Sequence, residues 1–265
     1  MKEIPAEEIA REEKEEGVVR VCVAIPTEGH AHVEAYANRL CNFMALGKLE
    51  SRGKYLKETP RFEFFFVTLG RIFTPLAREE AAKQSLAANM DYLFMIDDDM
   101  ICPDDLFERL YKHNVDLVAP LAFTRNYPHR AVLYSIKEGY DPASKSPYFF
   151  NHWIDNYPKD TLVRCDAVGF GAVLIKMDVI RKMAEPRFMS SAATGEDILF
   201  CHKAGKLGFK IYMDTSTKLG HLSHPLQITE EYVTNIHKTT KYNAAEGKKE
   251  YDKYEPLLLV GERYN

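Results

Sequence analysis

A mainly parallel α/β sheet flanked by helices is predicted by three observations. Short apolar, β-branched runs recur along the chain, each bounded by turn residues. Between them lie segments whose apolar residues recur at helical spacing. Strand and helix then alternate at distances that suit right-handed crossovers between parallel neighbours. With 265 residues, the chain can bury one sizeable core.

Taken in order, residues 1–17 are a leader of mixed charge, read as a solvated helix or an arm. Val18 to Ile25 is a buried first strand stopped by Pro26. His32 to Leu46 follows as an amphipathic helix, with Val33, Tyr36, Ala37, Leu40, Phe43 and Met44 predicted to form its buried face. Phe62 to Thr68 is a second strand. Thr74-Pro75 offers an N-cap and a proline at the first helical position, opening a helix to about Asn89. Tyr92 to Ile96 is the third strand, a short helix follows Pro103, and Val115 to Ala119 is the fourth strand. From Thr124 to Asp160 the periodicity disappears, which predicts a functional loop or an irregular subdomain. An apolar run spans Ala167 to Ile175, a helix opens near Asp178, and another covers Glu196 to Leu207 with Gly208 as its stop. Lys210 to Met213 is a last short strand, and the chain beyond Pro225 reads as a C-terminal helical tail. The predicted division is therefore 1–17, 18–225 and 226–265, with no internal repeat.

Composition excludes several classes. A 46% hydrophobic and 28% charged chain with net charge −4 is ordinary globular protein, and it has no basic surface suited to nucleic acid. Five scattered cysteines without a CxxC pair suggest neither a zinc site nor a disulfide framework, and a reducing cytoplasmic setting is expected. No apolar run approaches the ~18 residues of a membrane span.

The chemistry concentrates behind the third strand, where Asp97-Asp98-Asp99 follows Tyr92-Leu93-Phe94-Met95-Ile96. Open α/β sheets bind ligands at this edge. Three adjacent carboxylates repel one another unless a cation sits among them, and Mg²⁺ or Mn²⁺ shared with a phosphate is the natural occupant. Helix capping is the simpler explanation, but capping needs one aspartate. If the residues after the strand stay extended, alternation points Asp97 and Asp99 the same way and Asp98 the other. Glu196-Asp197 form a second acidic unit at a helix start, where the helix dipole favours ionised carboxylates and a general base can be held, or where they only cap the helix. His221 and His224 follow the last strand, and a neutral imidazole can complete a carboxylate metal shell. Arg78, on the helix before the triplet, can face the same edge and pair with diphosphate oxygens. Gly169-Phe170-Gly171 lacks the third glycine of a dinucleotide fingerprint and reads instead as close backbone packing beside a cleft. Tyr148, Phe149, Phe150 and Trp153 suggest either a stacking platform for a sugar ring or a plug of core aromatics.

The order of these pieces resembles a GT-A glycosyltransferase of the family-two-like kind, over about Val18 to His224. They are the strand ending Ile25-Pro26-Thr27-Glu28, Arg78, the DxD motif Asp97-Asp98-Asp99, Val168-Gly169-Phe170-Gly171, the Glu196-Asp197 pair and Gly220-His221. The resemblance implies a UDP- or GDP-sugar donor whose diphosphate is held by Mn²⁺ or Mg²⁺, with Asp97, Asp99 and His221 as ligands. It implies that Asp98 touches the donor sugar or ribose, that Pro26, Thr27 and Glu28 line the nucleoside pocket, and that Arg78 faces the pyrophosphate. Asp197, beside Glu196, matches the catalytic base of inverting members. The chain departs from the pattern at Glu28-Gly29-His30 and at Glu79 after Arg78, where asparagine is usual. The acceptor and the oligomeric state stay open. Two rival readings are a haloacid-dehalogenase-like phosphatase and a non-catalytic nucleotide-sugar-binding module. The first usually carries its Asp-x-Asp near the chain start, and the retained Glu196-Asp197 speaks against the second.

Overall fold

The computed structural model describes residues 16–27, 33–57, 60–142, 145–191, 194–223 and 226–239. Its strands are β1 (Val18–Thr27), β2 (Arg61–Gly70), β3 (Tyr92–Ile96), β4 (Met100–Ile101), β5 (Leu117–Leu121), β6 (Leu133–Asp141) and β7 (Ser146–Trp153). They continue as β8 (Leu162–Cys165), β9 (Ala167–Val168), β10 (Ala172–Lys176), β11 (Ile211–Lys218), β12 (Gly220–Ser223) and β13 (Leu226–Ile228). The helices are α1 (Val33–Tyr55), α2 (Thr74–Ala87), α3 (Leu106–Tyr111), α4 (Met177–Lys182), α5 (Glu196–Lys206) and α6 (Glu230–Thr239).

A seven-stranded sheet in the order β2-β1-β3-β10-β5-β11-β8 forms the centre. β1 is parallel to β2 and β3, and β11 is parallel to β5, while β10 is antiparallel to β3 and β5 and β8 is antiparallel to β11. The sheet is thus mainly parallel, with two reversed strands. Two smaller sheets, β13-β12-β4 and β7-β6-β9, attach near its C-terminal edge. Each face of the main sheet has its own core. Ala77, Ala81 and Ala82 let α2 approach one face closely, and Phe62, Phe64, Phe94 and Phe107 interlock on the other. Phe107 meets Phe62 and Phe64 edge-on at centroid distances of 5.3 and 5.0 Å.

The amphipathic reading of α1 is reversed in the structure. Val33, Tyr36, Leu40 and Met44 are 77%, 60%, 47% and 64% exposed, whereas Ala35, Arg39, Asn42, Leu46 and Leu49 are buried. The reason is hydrogen bonding. Asn38 donates to the Cys102 carbonyl at 2.9 Å and accepts the Cys102 N–H at 2.8 Å, and Arg39 Nη2 donates to the Asp97 carbonyl at 2.8 Å. Satisfying the backbone around β4 outweighs burial of the apolar stripe.

Other boundaries also differ. Phe73 stands at the N-cap of α2 without a side-chain cap bond, so Thr74 begins the helix instead of capping it. The aperiodic stretch from Thr124 to Asp160 holds the β6–β7 hairpin. The apolar run from Ala167 is split by Gly169-Phe170-Gly171 into β9 and β10. A Cβ on Gly169 would lie 2.7 Å from Val132 Cβ, so close packing keeps a glycine there, and one on Gly171 would lie 2.4 Å from Met100 Cε, so the methionine end would have to move. β11 runs on to Lys218, and the expected tail contributes β13 and α6. Most of the leader, and the chain beyond residue 239, lie outside the described residues.

Candidate active site

The triplet occupies a turn. Asp97 donates its N–H to the Gly171 carbonyl at 2.8 Å, and Met100 returns to the Asp97 carbonyl at 3.4 Å. The strand does not continue through the triplet, so its alternation is lost and each carboxylate finds a different surrounding.

Asp97 turns toward Arg78. Arg78 Nη2 donates to both Asp97 oxygens at 2.8 and 3.0 Å and to the Phe170 carbonyl at 3.2 Å. Arg78 Nη1 donates to Glu196 Oε1 at 2.5 Å. The guanidinium is 3% exposed and lies 5.5 Å from the Phe170 ring centroid. It therefore joins α2, the aspartate turn and the start of α5, with both terminal nitrogens engaged by carboxylates of the protein. Burial pushes the Asp97 carboxyl up to about 6; Arg78 opposes this, and the charges of Asp99 and Glu196 add to it.

Asp99 faces the other way. Its Oδ2 lies 3.1 Å from His221 Nε2 and 3.4 Å from Arg125 Nη1. Burial would raise this carboxyl, but His221 and Arg125 hold it below the usual range. His221 Nδ1 lies 2.7 Å from the Phe123 carbonyl, which can only accept, so that nitrogen carries a proton. The Nε2 that faces Asp99 then bears either a second proton or a lone pair directed at a carboxylate. This is the donor set a divalent cation takes, with the other ring nitrogen tied to a backbone carbonyl. Asp98 adds a buried Oδ2 with no hydrogen-bond partner. Asp99 and His221 thus offer two donors of the kind a Mg²⁺ or Mn²⁺ ion takes. Among the described residues no cluster of three or more His, Cys, Asp or Glu side chains is arranged as a metal shell.

Asp197 lies at the first turn of α5, where its Oδ1 accepts the Ile198 N–H at 2.7 Å. Burial raises its pKa; Arg78 opposes and Glu196 reinforces the rise. Its charge reaches the buried Tyr134 phenol at the base of β6, whose pKa burial has already raised. Pro26 and Thr27 end β1 just beyond the last β1–β3 pair, Ala24 with Met95, which sets them at the sheet edge that carries Asp97. Glu28 and His224 lie outside the described residues.

The structure therefore gathers Arg78, Asp97, Glu196 and Asp197 into one network and Asp99 with His221 into another. It separates the carboxylates of Asp97 and Asp99, which the sequence placed together. Arg39, Arg125 and the carbonyls of Phe170 and Gly171 were not foreseen. Arg39 was hidden by the apolar stripe that shares its helix, and backbone carbonyls leave no mark in a sequence.

No protein-family model and no curated protein matches the sequence. Among solved structures, GalNAc-T7 with UDP, GalNAc and Mn²⁺ aligns with a TM-score of 0.42 at 12% identity over 77% of this chain and 43% of that one. UDP-glucose pyrophosphorylase complexed with UDP-glucose aligns at 0.44 and 9%, over 76% and 92%. A197 from STIV aligns with a TM-score of 0.54 at 17% identity, covering 80% of this chain and 91% of that one. With A197 this chain shares its α/β fold, a mainly parallel sheet flanked by helices.

Proposed function

We propose that this chain is a divalent-cation-dependent glycosyltransferase that moves a sugar from a UDP- or GDP-sugar to an acceptor hydroxyl with inversion. One observation carries the reading. A single buried arginine ties the acidic turn at the end of β3 to the acidic start of α5, segments separated by more than a third of the chain, while His221 comes to Asp99 from a third segment. Two acidic groups with different environments at one sheet edge suit chemistry that needs both a cation holder and a base.

Asp99 and His221 would hold the cation. When bound, a divalent cation supplies Lewis-acid stabilisation of the negative charge on a departing diphosphate. Asp97, expected as a ligand, has Arg78 as its partner in this reading, and Arg78 acts by fixing Asp97 and Glu196 in place of contacting pyrophosphate. Pro26 and Thr27 line the nucleoside side by their position at the end of β1. Asp197 takes the acceptor proton as the oxygen bonds to the anomeric carbon and the bond from that carbon to the diphosphate oxygen breaks. Its raised pKa makes it a stronger base than an ordinary aspartate.

The test is incubation with UDP- and GDP-sugars, with and without Mn²⁺, while released nucleoside diphosphate and inorganic phosphate are measured separately. Cation-dependent release of nucleoside diphosphate is expected, together with a rise in melting temperature with UDP or GDP plus Mn²⁺. Release of inorganic phosphate would assign a phosphatase instead. Thermal stabilisation without turnover would assign a binding module, and neither response would remove the reading altogether.

A further inference from the structure

The β6–β7 hairpin grows directly out of the candidate site. Leu133 and Tyr134 pair with Val168 and Ala167 of β9, immediately before the Gly169-Phe170-Gly171 loop that meets Asp97 and Arg78. Strand alternation sorts the hairpin's aromatics into two sets. Phe149 stacks on His202 of α5 at 4.2 Å and so holds the hairpin to the body, while Trp153 packs against its cross-strand partner Tyr134 at 4.6 Å within the hairpin. The opposite face carries Tyr148, Phe150 and His152 along β7, with Gly139, Lys137 and Ser135 as their cross-strand partners on β6.

That second face is a row of rings. Tyr148 and Phe150 lie 5.0 Å apart, and Phe150 and His152 lie 6.4 Å apart with planes tilted by 33°. Tyr148 and Phe150 are 43% and 51% exposed. The Tyr148 ring lies flat over Gly139, where an added Cβ would come within 2.5 Å of it, so the glycine seats the ring against the hairpin. At the inner end of the row, nearest the candidate site, Ser135 and His152 stand opposite each other, 2% and 6% exposed. Ser135 Oγ and His152 Nε2 are both buried without a hydrogen-bond partner. Native proteins rarely leave two such groups adjacent and unsatisfied.

The geometry points to this face as the binding site for the carbohydrate chain that accepts the transferred sugar. Sugar rings present apolar C–H faces that stack on exposed aromatics, and hydroxyls that seek unpaired donors and acceptors. The row offers both in that order, exposed rings outside and unpaired polar groups inside. It spans about 13 Å from Tyr148 to His152 at the rise of a strand, enough for a disaccharide or longer. A wholly apolar partner would leave Ser135 and His152 unsatisfied, which argues for a polyhydroxylated occupant. The assignment of this occupant as an acceptor rests on the glycosyltransferase reading; the binding of carbohydrate does not.

The test uses the full-length protein. Binding to an array of neutral oligosaccharides is measured first, then the affinity for the strongest ligand is compared among the parent, Tyr148→Ala, Phe150→Ala and the double variant. Each single change should weaken binding about tenfold, and the double variant more. Because both rings are exposed, melting temperatures should stay close to the parent's. UDP or GDP binding with Mn²⁺, read in parallel, should not change. Failure of nucleotide binding alone overturns the donor reading and leaves the carbohydrate site standing. Absence of binding to any oligosaccharide, equal affinity in the double variant, or binding to lipid vesicles that the double variant loses would each overturn the carbohydrate site.

Discussion

Replacing Arg78 by methionine keeps most of the side-chain volume and removes the charge that faces Asp97 and Glu196. Removing one partner of a buried ion pair leaves the other uncompensated and typically costs about 3–5 kcal/mol. Here two carboxylates and the Phe170 carbonyl lose their donor, so the upper part of that range is expected near pH 8. For a chain of this length that corresponds to a fall in melting temperature of roughly 8–10 °C, at about 2 °C per kcal/mol. The penalty should depend on pH, with a sign fixed by Asp97. The parent's folded-state pKa, about 6, already lies above the ordinary value of 3.8, so this group favours folding at acid pH and loses that contribution as pH rises through 6. Without Arg78 the folded-state pKa rises further. The extra cost in the variant is then present above its new pKa and shrinks at pH 5, where Asp97 is protonated in both proteins. Urea denaturation of parent and variant at pH 5 and pH 8 measures the difference directly. A penalty below ~1 kcal/mol, or one equal at the two pH values, would refute the view that Arg78 neutralises the half-buried carboxylates of Asp97 and Glu196.

Three further outcomes are expected. His221→Ala should weaken Mn²⁺ binding about tenfold or more by calorimetry. It should also move the acid unfolding limb to higher pH, because the stability from Asp99's depressed pKa is present above the ordinary carboxylate value and is lost as pH falls; unchanged affinity would place the cation elsewhere. Asp197→Asn should lower transfer by about 10²–10⁴-fold while nucleotide binding survives, and near-parental turnover would exclude it as the base. Gly171→Ala should cost about 1–3 kcal/mol through the contact with Met100 Cε, and the cost should fall in a Met100→Ala background; the same cost in both backgrounds would locate the strain elsewhere.

The main sheet is legible because its strands are apolar runs. Tyr92 to Ile96 was read with the bounds the structure gives. The hairpin is hard to read because Tyr148 to Trp153 alternates exposed with half-buried aromatics, so apolar character does not alternate with polarity. The face of α1 was misread because its inward positions carry Arg39 and Asn42, which serve backbone carbonyls no local pattern announces. At the site, sequence indicated which residues share an edge but not which pair together. Asp97 and Asp99 diverge because the chain turns at Asp98-Asp99, and that turn depends on partners far along the chain.

The reversal of β10 has a kinetic consequence. Because β10 runs against β3, its first residues, not its last, arrive beside Asp97. The ties that complete the site therefore span long stretches of chain, 118 residues from Arg78 to Glu196 and 122 from Asp99 to His221. Such contacts form late, since loop closure must precede them. A nascent chain or a proteolytic fragment ending before β12 presents the acidic turn with Asp99 lacking His221, and one ending before α5 also deprives Arg78 of Glu196. Like charges then destabilise the edge of the half-built sheet. Completion of the acidic edge and consolidation of the whole sheet thus become one event.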